Sequence, residues 1–260
     1  MTTVKKTKIN QLLSALPGGT VMQSFWLVEQ GYSTELQKAY RHNAWLESIG
    51  TGAMIRAGDT VHYEGAIYAL QTQSKSDIHP AGKTALSLLG RSHYLSMAES
   101  KVTVFGAENT RPPAWFFNHD WGVKIDYYSS SFLPQGSGLT DISINGYTIK
   151  VSSAARALME CLYLAPEKME LLECYAVMEG LNNLKPAQVQ KLLEVCTSVK
   201  VKRLFLYMAD KANHSWTKFL NLEKIDVGSG KRSIVKHGSY IDRYQITVPK
   251  ELAEYGERSV

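Results

Sequence analysis

The first thirty residues alternate apolar helical stripes with breaks rich in glycine. Four apolar side chains at i, i+3, i+4 and i+7 predict an amphipathic first helix: Ile9, Leu12, Leu13 and Leu16. It is expected to end at the Pro-Gly-Gly sequence of residues 17–19. Thr20 and Gln23 have the spacing of a capping box, so a second helix is predicted from there to Gly31. We expect its inner face to carry Val21, Phe25 and Val28.

A third helix is predicted to begin at Ser33 or Thr34, whose hydroxyls suit an N-cap. Its inner face should follow the 3.6-residue period through Leu36, Ala39, Tyr40, Asn43 and Leu46. The outer face then holds Thr34, Lys38, Arg41 and Trp45, with Gln37 and His42 at its borders. Arginine can pair with guanine, glutamine with adenine, and lysine can neutralise a phosphate. For an isolated helix, a solvated face with two cations would be the simpler interpretation.

The sequence after this helix favours DNA. The β-prone runs 45–49 and 53–56 are separated by Gly50-Thr51-Gly52, whose glycines permit the positive φ angles of a tight hairpin. A helix that passes into such a hairpin is typical of a winged helix-turn-helix. We therefore predict DNA contacts by Thr34, Gln37, Lys38, Arg41 and His42 on the helix and by Arg56 on the wing. The tip carries Thr51 in place of a cation, so weak phosphate contacts are expected there.

The remainder of the chain predicts mixed α and β structure. Helices are expected at 60–73, 82–89, 154–164, 167–180, 186–196 and 201–211, a buried strand at 102–106, a hairpin at 143–151, and paired strands at 224–227 and 244–248. The predicted fold class is therefore α+β, with an N-terminal winged helix-turn-helix domain followed by a larger mixed α/β domain. We place the domain boundary after residue 58, which gives domains of residues 1–58 and 59–260.

Charge is concentrated in two regions. Residues 1–58 hold six Lys/Arg against three Glu, and residues 197–250 hold eleven Lys/Arg against four acids, in a chain of formal net charge +5. Basic regions commonly attract nucleic acid or an acidic partner, although a charge run can simply keep a protein in solution. Five cations could form a second basic surface: Lys200, Lys202, Arg203, Lys231 and Arg232. Lys5, Lys6 and Lys8 could likewise form a basic arm or a solvated terminus.

The composition indicates a soluble globular protein of the cytoplasm. No apolar run approaches the roughly twenty residues that a membrane span needs, and the first residues lack the apolar segment of a signal peptide. Cys161, Cys174 and Cys196 are odd in number and lie in apolar helical patterns, which favours reduced core thiols. There is no C-x-x-C and no histidine pair at ligand spacing beside a cysteine, so we expect no zinc site. No cofactor is expected either.

Several segments, taken in order, resemble the AbiEi family of antitoxin-regulators from type IV toxin-antitoxin and abortive-infection systems. They are WLESIGTGAMIRAGD, YEGAIYALQ, HPAGKTALSLLGRSHYL, VFGAENTRPPAWFFNHDW, VKVKRLFLYMADKANHSWTKFL and GSGKRSIVKHGSYIDRYQITVP. Together they extend over most of the chain, and their shared order is more specific than any one of them. Met54 departs from the family pattern, in which a tyrosine is more typical, and this bears only on local packing.

The resemblance implies a phage-defence function without an enzymatic activity of its own. It implies a winged-helix domain that binds double-stranded DNA at the protein's own promoter, with inverted repeats expected there, and represses its operon. It also implies an antitoxin domain that counteracts a nucleotidyltransferase toxin like AbiEii, without the need for a stable complex between the two.

Two other functional classes remain open. Asp77 with Glu99-Ser100-Lys101 loosely matches the D…E-x-K pattern of metal-dependent nucleases, although Glu99 precedes the predicted strand and chance explains the match better. The winged helix could also dock a protein partner. The sequence GSGKRS at 228–233 does not form a phosphate loop, because Arg232 occupies the position of the Ser or Thr that would bind magnesium. It is expected to be a turn that presents Lys231 and Arg232.

Overall fold

The computed structural model describes residues 7–91 and 101–256. The chain divides into two compact units: unit 1 comprises residues 1–79, 100–129 and 141–150, and unit 2 comprises residues 80–99, 130–140 and 151–260. These units reflect packing, whereas the boundary after residue 58 concerns where the DNA-binding domain ends and stays a prediction. No helix among the described residues is long and apolar enough to cross a bilayer.

Helices and strands alternate along the described chain. The helices are α1 (Lys8–Ala15), α2 (Ser24–Glu29), α3 (Thr34–His42), α4 (Tyr63–Thr72), α5 (Gly82–Leu88), α6 (Ala114–Asn118), α7 (Ala154–Leu164), α8 (Leu171–Glu179), α9 (Pro186–Val195), α10 (Val199–Lys211) and α11 (Lys250–Glu254). The strands are β1 (Met22–Gln23), β2 (Leu46–Gly50), β3 (Ala53–Arg56), β4 (His79–Pro80), β5 (Lys101–Gly106), β6 (Lys124–Ser129), β7 (Leu139–Ile144), β8 (Tyr147–Ser152), β9 (Arg232–Ser233), β10 (Ser239–Ile241) and β11 (Ile246–Val248). Short 3₁₀ helices occupy Ser215–Phe219, Leu222–Lys224 and Asp242–Tyr244.

These strands form small sheets. The sheet orders are β1-β3-β2, β4-β5-β6, β7-β8 and β10-β11-β9. Strands β5 and β6 are parallel, β10 is antiparallel to β11, and β9 is parallel to β11. The mixed helices and small sheets, with a distinct N-terminal module, confirm the predicted α+β fold class.

The N-terminal part of unit 1 has the element order of a winged helix-turn-helix: α1, β1, α2, α3 and the hairpin β2-β3. Strand β1 joins the hairpin because Met22 pairs with Met54. The helices and the sheet enclose one apolar cluster, whose buried members are Ile9, Leu12, Met22, Leu27, Tyr40, Leu46 and Met54. Met54 is thus a core residue, so the methionine that departs from the family pattern is fully accommodated.

Helix α4 is tied to this module by buried amide groups. The Gln73 side chain accepts a hydrogen bond from the Gln23 backbone N–H at 2.8 Å and donates one to the Val21 carbonyl at 2.8 Å. The Gln23 side chain donates in turn to the Ala69 carbonyl at 3.0 Å. Because buried amides must be satisfied, these bonds fix α4 against β1. They explain why the compact unit extends past residue 58.

Unit 2 is built around helices that are buried over most of their length. All nine residues from Ala154 to Leu162 in α7 are buried, as are all nine from Val201 to Ala209 in α10. Helix α7 packs against α5, α8, α9 and α10. The three cysteines are buried in the same unit: Cys161 lies on α7, Cys174 on α8 and Cys196 at the C-cap of α9.

Two predicted features are wrong. Helix α2 buries Leu27 and leaves Phe25 and Val28 about half exposed, at 48% and 47%. The reason is that strand β1 forms where the first turn of α2 was predicted, so the helix begins later in the sequence. The expected strand at 224–227 is absent: residues Leu222–Lys224 form a 3₁₀ turn, and β11 pairs with β9 and β10 instead. Conversely, β1, β6 and α6 were not predicted.

Candidate DNA interface

The outer face of α3 presents three of the predicted contact residues to solvent. Ser33 caps the helix by accepting a hydrogen bond from the Leu36 backbone N–H at 3.3 Å. Thr34, Lys38 and His42 are exposed along the helix. They lie four residues apart and therefore on one face, which reaches from the first turn of the helix to its last.

Gln37 does not lie on that face. Its side chain is 1% exposed and accepts a hydrogen bond from the Ser24 hydroxyl at 2.6 Å. Its amide nitrogen donates to the carbonyls of Ser24 and Tyr32 at 3.1 and 2.9 Å. The amide therefore joins α3 to α2 and is not available to read a base, so we leave Gln37 out of the proposed DNA contacts.

The inner face of α3 is rotated relative to the prediction. Gln37 and Tyr40 are buried, whereas Ala39 and Asn43, which were expected inside, are exposed. The rotation places Arg41 at the edge of the interface, where it is half-buried and its guanidinium approaches the sulfur of Met54 at 4.0 Å. Such an N–H to sulfur contact is weak, so the guanidinium is free to turn outward.

Glu35 places a negative charge beside the first of these residues. Its carboxylate accepts a hydrogen bond from the Thr34 hydroxyl at 3.1 Å. Hydrogen bonds from its own backbone N–H and from the hydroxyls of Thr34 and Ser33 lower the pKa of Glu35, which stays ionised at neutral pH. A phosphate would be repelled near Thr34, so the favourable region for a phosphate is the C-terminal half of α3, around Lys38, Arg41 and His42.

The wing is a short hairpin whose first strand, β2, ends against α6. Gly50 has φ +148° and a Cβ built on it would lie 2.9 Å from the Cβ of Trp115 in α6. Thr51 and Gly52 at the tip remain exposed. Trp115 and Phe116 are buried, which makes them core anchors, whereas Phe117 is 40% exposed. The wing is thus supported from one side by α6.

Arg56 has a role in the structure of the module. Its guanidinium donates to the carbonyls of Leu13 and Leu16, which lie at the end of α1. Carbonyls at the end of a helix lack partners within the helix, so the arginine caps α1. This contact occupies the charged group, and we leave Arg56 out of the proposed DNA contacts.

The second basic surface does not form as predicted. Lys202 and Arg203 are buried, at 3% and 2% exposure. Arg203 donates to the carbonyls of Val227, Gly228, Gly230 and Gln245. The ammonium of Lys200 is held by the carbonyls of Tyr163 and Ala165, both at 2.7 Å, and burial lowers the pKa of Lys200. Periodicity could not reveal these partners, which lie 24 to 42 residues away in the sequence.

Only Lys231 and Arg232 of that set are exposed. The Lys231 ammonium lies 5.1 Å from the centre of the Tyr240 ring, a cation–π contact at the surface. Arg203 binds the carbonyls at Gly228 and Gly230, so the buried guanidinium holds the turn that presents the two exposed cations. Lys231 and Arg232 are exposed as predicted, but Arg232–Ser233 form strand β9, so the turn is shorter than the predicted 228–233.

Further apolar groups of the module are exposed near its functional helices. Trp45, two residues after the C-cap of α3, is 45% exposed, and its ring lies 5.7 Å from that of Tyr40. Phe25 and Val28 lie on the solvent side of α2. The i, i+3 spacing in α2 is equally consistent with an inner or an outer face, because a helix of six residues offers too little periodicity to decide.

The nuclease pattern finds no support among the described residues. Asp77 accepts a hydrogen bond from the Ala107 backbone N–H, and Lys101 is exposed at the start of β5. Glu99 and Ser100 lie outside the described residues, as do Lys5 and Lys6 of the predicted basic arm. Within the ranges 7–91 and 101–256, no group of three or more His, Cys, Asp or Glu side chains could hold a metal ion.

Comparison with known proteins identifies the two parts of the chain. Residues 99–249 match the family model described as transcriptional regulator, AbiEi antitoxin, type IV TA system. Residues 5–97 match the model of the AbiEi antitoxin N-terminal domain of transcriptional regulators. No curated protein matches the sequence. The crystal structure of the RV2827C protein from Mycobacterium tuberculosis is similar in fold, with a TM-score of 0.58 and 12% identity, over 92% of this chain and 89% of that one.

Proposed function

Because the chain belongs to the AbiEi antitoxin family of type IV toxin-antitoxin transcriptional regulators, we propose that it represses its own promoter by binding double-stranded DNA through α3. The observation that carries this proposal is the winged helix-turn-helix order of α1, β1, α2, α3, β2 and β3, in which α3 exposes Lys38 and His42. In this architecture the second helix of the helix-turn-helix lies in the major groove.

The proposed contact residues differ in the part of the DNA that each one binds. Lys38 neutralises a phosphate, because an ammonium is a point charge without the fork geometry that reads a base. Arg41 turns from the Met54 sulfur toward a guanine edge, which its two parallel N–H groups can pair bidentately. His42 assists at the C-terminal end of the helix, and Thr34 assists at the N-terminal end by contact with a base, because Glu35 repels a phosphate there. Inverted repeats in the operator would match two copies of the protein related by two-fold symmetry.

The second part of the proposal is the antitoxin activity. Membership of an antitoxin family supports an activity that counteracts a toxin. We propose that this toxin is an AbiEii-like nucleotidyltransferase encoded in the same operon. The two proteins need not form a stable complex if the antitoxin acts on the same target as the toxin. A repressor acts where its DNA lies, so the proposed site of action is the cytoplasm. No catalytic residues are proposed.

A promoter reporter tests repression. The region upstream of the gene is fused to a reporter, and the protein is supplied from an inducible promoter. Wild type should repress, whereas the Lys38→Ala/Arg41→Ala double variant should lose most repression at equal protein level. Lys168→Ala, which removes an exposed lysine of unit 2, is the matched control and should repress like wild type. Full repression by the double variant would contradict the assignment of α3.

A growth assay tests antitoxin activity separately. The toxin gene and the regulator are expressed from two independent promoters, so that repression does not affect toxin level. Wild type should restore growth, and the double variant should restore it equally, because α3 is proposed to act in repression only. Growth arrest that the wild-type protein does not relieve would contradict the antitoxin proposal and leave repression to be judged by the reporter.

A further inference from the structure

Unit 2 contains a basic cavity that the proposed function does not use. Its volume is about 780 Å³, and it is lined by residues of the loop 135–138, the start of β7, the start of α7, and α9 with the segment before it. Three cationic residues line it: Arg91, Lys185 and Lys191. No acidic residue is among the described residues of its wall. The described residues of the wall therefore carry a formal charge of +3, with no carboxylate among them.

Hydrogen-bonding groups accompany these cations. The wall also includes hydroxyl and amide side chains, namely Gln135, Ser137, Thr140, Ser153, Asn183 and Gln188. The Ser153 side chain makes no capping hydrogen bond at the start of α7. Helices α7 and α9 both begin at the cavity, and the positive ends of their dipoles add to the field of the cations. Cations and neutral donors around one cavity suit an anion with several oxygen acceptors.

The loop that forms one side of the cavity is fixed by a buried ion pair. The Arg156 guanidinium donates to the Glu160 carboxylate at 2.7 Å, and the two side chains are 6% and 0% exposed. The same guanidinium donates to the Ser137 and Pro134 carbonyls. A buried ion pair costs desolvation energy and is tolerated when its geometry and hydrogen bonds are complete. Here it holds the loop in one conformation against α7.

The approach of this loop to α9 is equally constrained. Gly138 has φ +67°, and a Cβ built on it would lie 2.7 Å from a methyl carbon of Leu192. Gly136, at φ +70°, has nothing within 4 Å of its built Cβ. Close packing against Leu192 therefore favours a glycine at position 138, whereas a side chain at position 136 would meet no neighbouring atom. The loop backbone at Gly138 thus lies close against Leu192 of α9, which limits its movement on this side of the cavity.

The structure assigns this cavity as a binding site for a small molecule that carries phosphate groups. The volume falls within the roughly 300 to 1,000 Å³ that is usual for small-molecule sites. No aromatic side chain is among the described lining residues, so a single-stranded nucleic acid would find no ring on which to stack its bases. The cavity therefore recognises its ligand by charge, through Lys185, Lys191 and Arg91. This favours a compact polyphosphate or phosphate ester over a nucleic-acid strand.

Isothermal titration calorimetry of the full chain tests this assignment. The probes are inorganic pyrophosphate, ATP and, as a ligand without phosphate, adenosine. Pyrophosphate and ATP should bind wild type, and adenosine should not. Lys185→Ala/Lys191→Ala should weaken pyrophosphate binding by roughly 10- to 100-fold, because each change removes a charge-assisted hydrogen bond. The matched control is Lys218→Ala/Lys224→Ala, which removes two exposed lysines of unit 2 outside the cavity and should bind like wild type.

Three results would overturn the assignment. Absence of binding by both phosphate probes at millimolar concentration is the first. Equal weakening in the cavity variant and its control is the second, because it would indicate non-specific attraction by net charge. The third is an unchanged affinity for pyrophosphate in the cavity variant. If that variant lost affinity for the upstream DNA and wild type bound no phosphate probe, the cavity cations would contact nucleic acid and the small-molecule site would be excluded.

Discussion

Gly50, at the end of β2 in the wing, lies against Trp115: a Cβ atom built on Gly50 would come within 2.9 Å of the Cβ of that tryptophan. Trp115 is 4% exposed and belongs to α6, which follows the strand β5. In this protein the wing is therefore held in place by a later segment of unit 1. The contact explains why position 50 requires a glycine more strictly than position 52, where nothing lies within 4 Å of the built Cβ.

Gly50→Ala should destabilise unit 1 more than Gly52→Ala. Both glycines have positive φ angles, +148° and +83°, so each alanine introduces backbone strain. Only the first also collides with Trp115. We expect a loss of about 2 to 4 kcal/mol in the free energy of unfolding for Gly50→Ala and about 1 kcal/mol for Gly52→Ala. Urea denaturation measures both, and equal losses would show that Trp115 yields to the new methyl group.

Arg41→Ala and Lys38→Ala should differ in the kind of DNA binding that they impair. If Arg41 reads a guanine, its loss should cost roughly 1 to 3 kcal/mol and relax discrimination at one base pair. Lys38→Ala should weaken binding to all sequences similarly, because a phosphate contact carries no sequence information. Competition binding with operators substituted at single positions distinguishes the two. A uniform loss for Arg41→Ala would reassign that residue to the DNA backbone.

The buried pair Arg156–Glu160 should matter far more for stability than the exposed pair Arg243–Asp210. Both have N···O distances of 2.7 Å, but the side chains of the exposed pair are 62% and 46% accessible. Arg156→Ala leaves a buried carboxylate without its cation and should cost roughly 3 to 5 kcal/mol. Arg243→Ala should cost no more than about 1 kcal/mol. Denaturant unfolding compares them directly, and similar losses would contradict the role given to burial.

The three thiols should react slowly in the native protein. Burial raises the pKa of Cys174 to about 12, and it also raises the pKa values of Cys161 and Cys196. Since only the thiolate is nucleophilic, Ellman's reagent at pH 8 should label the native chain slowly and the chain in guanidinium rapidly. Rapid labelling of the native chain would mean that unit 2 opens easily.

The raised pKa of Cys174 makes the stability of the folded protein depend on pH. An unfolded thiol ionises near pH 8.5, whereas the folded Cys174 keeps its proton up to about pH 12. Its contribution to stability is therefore complete below pH 8.5 and is lost as the pH rises from there toward 12, because the unfolded state releases a proton first. Cys174→Ala should reduce that alkaline loss, as measured by thermal unfolding between pH 8 and 10.

The parts of the fold that depend on local patterns could be predicted from the sequence. Gly50 and Gly52 mark the wing turn, and the predicted bounds of Ala154–Leu164 are those of α7. Strand β1 was missed because two residues give no periodicity, and its partner Met54 lies far along the chain from Met22. The sequence thus predicts the hairpin β2-β3, but it does not predict β1, the third strand of that sheet.

The roles of charged and amide side chains were harder to predict than the helices that carry them. Gln37 and Arg56 were predicted as DNA contacts, and Arg203 as part of a possible second basic surface, because their side chains suit those roles. Each instead satisfies backbone carbonyls within its own unit. A helical period shows which positions share a face, but the face that is buried depends on partners elsewhere in the chain. The helical period alone predicted an exposed position for Thr34, Lys38 and His42, and all three are exposed in the structure.

The most direct test of DNA recognition by α3 is fluorescence anisotropy with the duplex upstream of the gene and a scrambled duplex, over a series of salt concentrations. Wild type should prefer its own sequence, and its affinity should fall steeply with salt. The Lys38→Ala/Arg41→Ala variant should lose that preference, and its salt slope should be shallower by about one for each phosphate contact removed. Equal affinity of wild type for both duplexes, or an unchanged slope in the double variant, would contradict recognition of DNA by this helix.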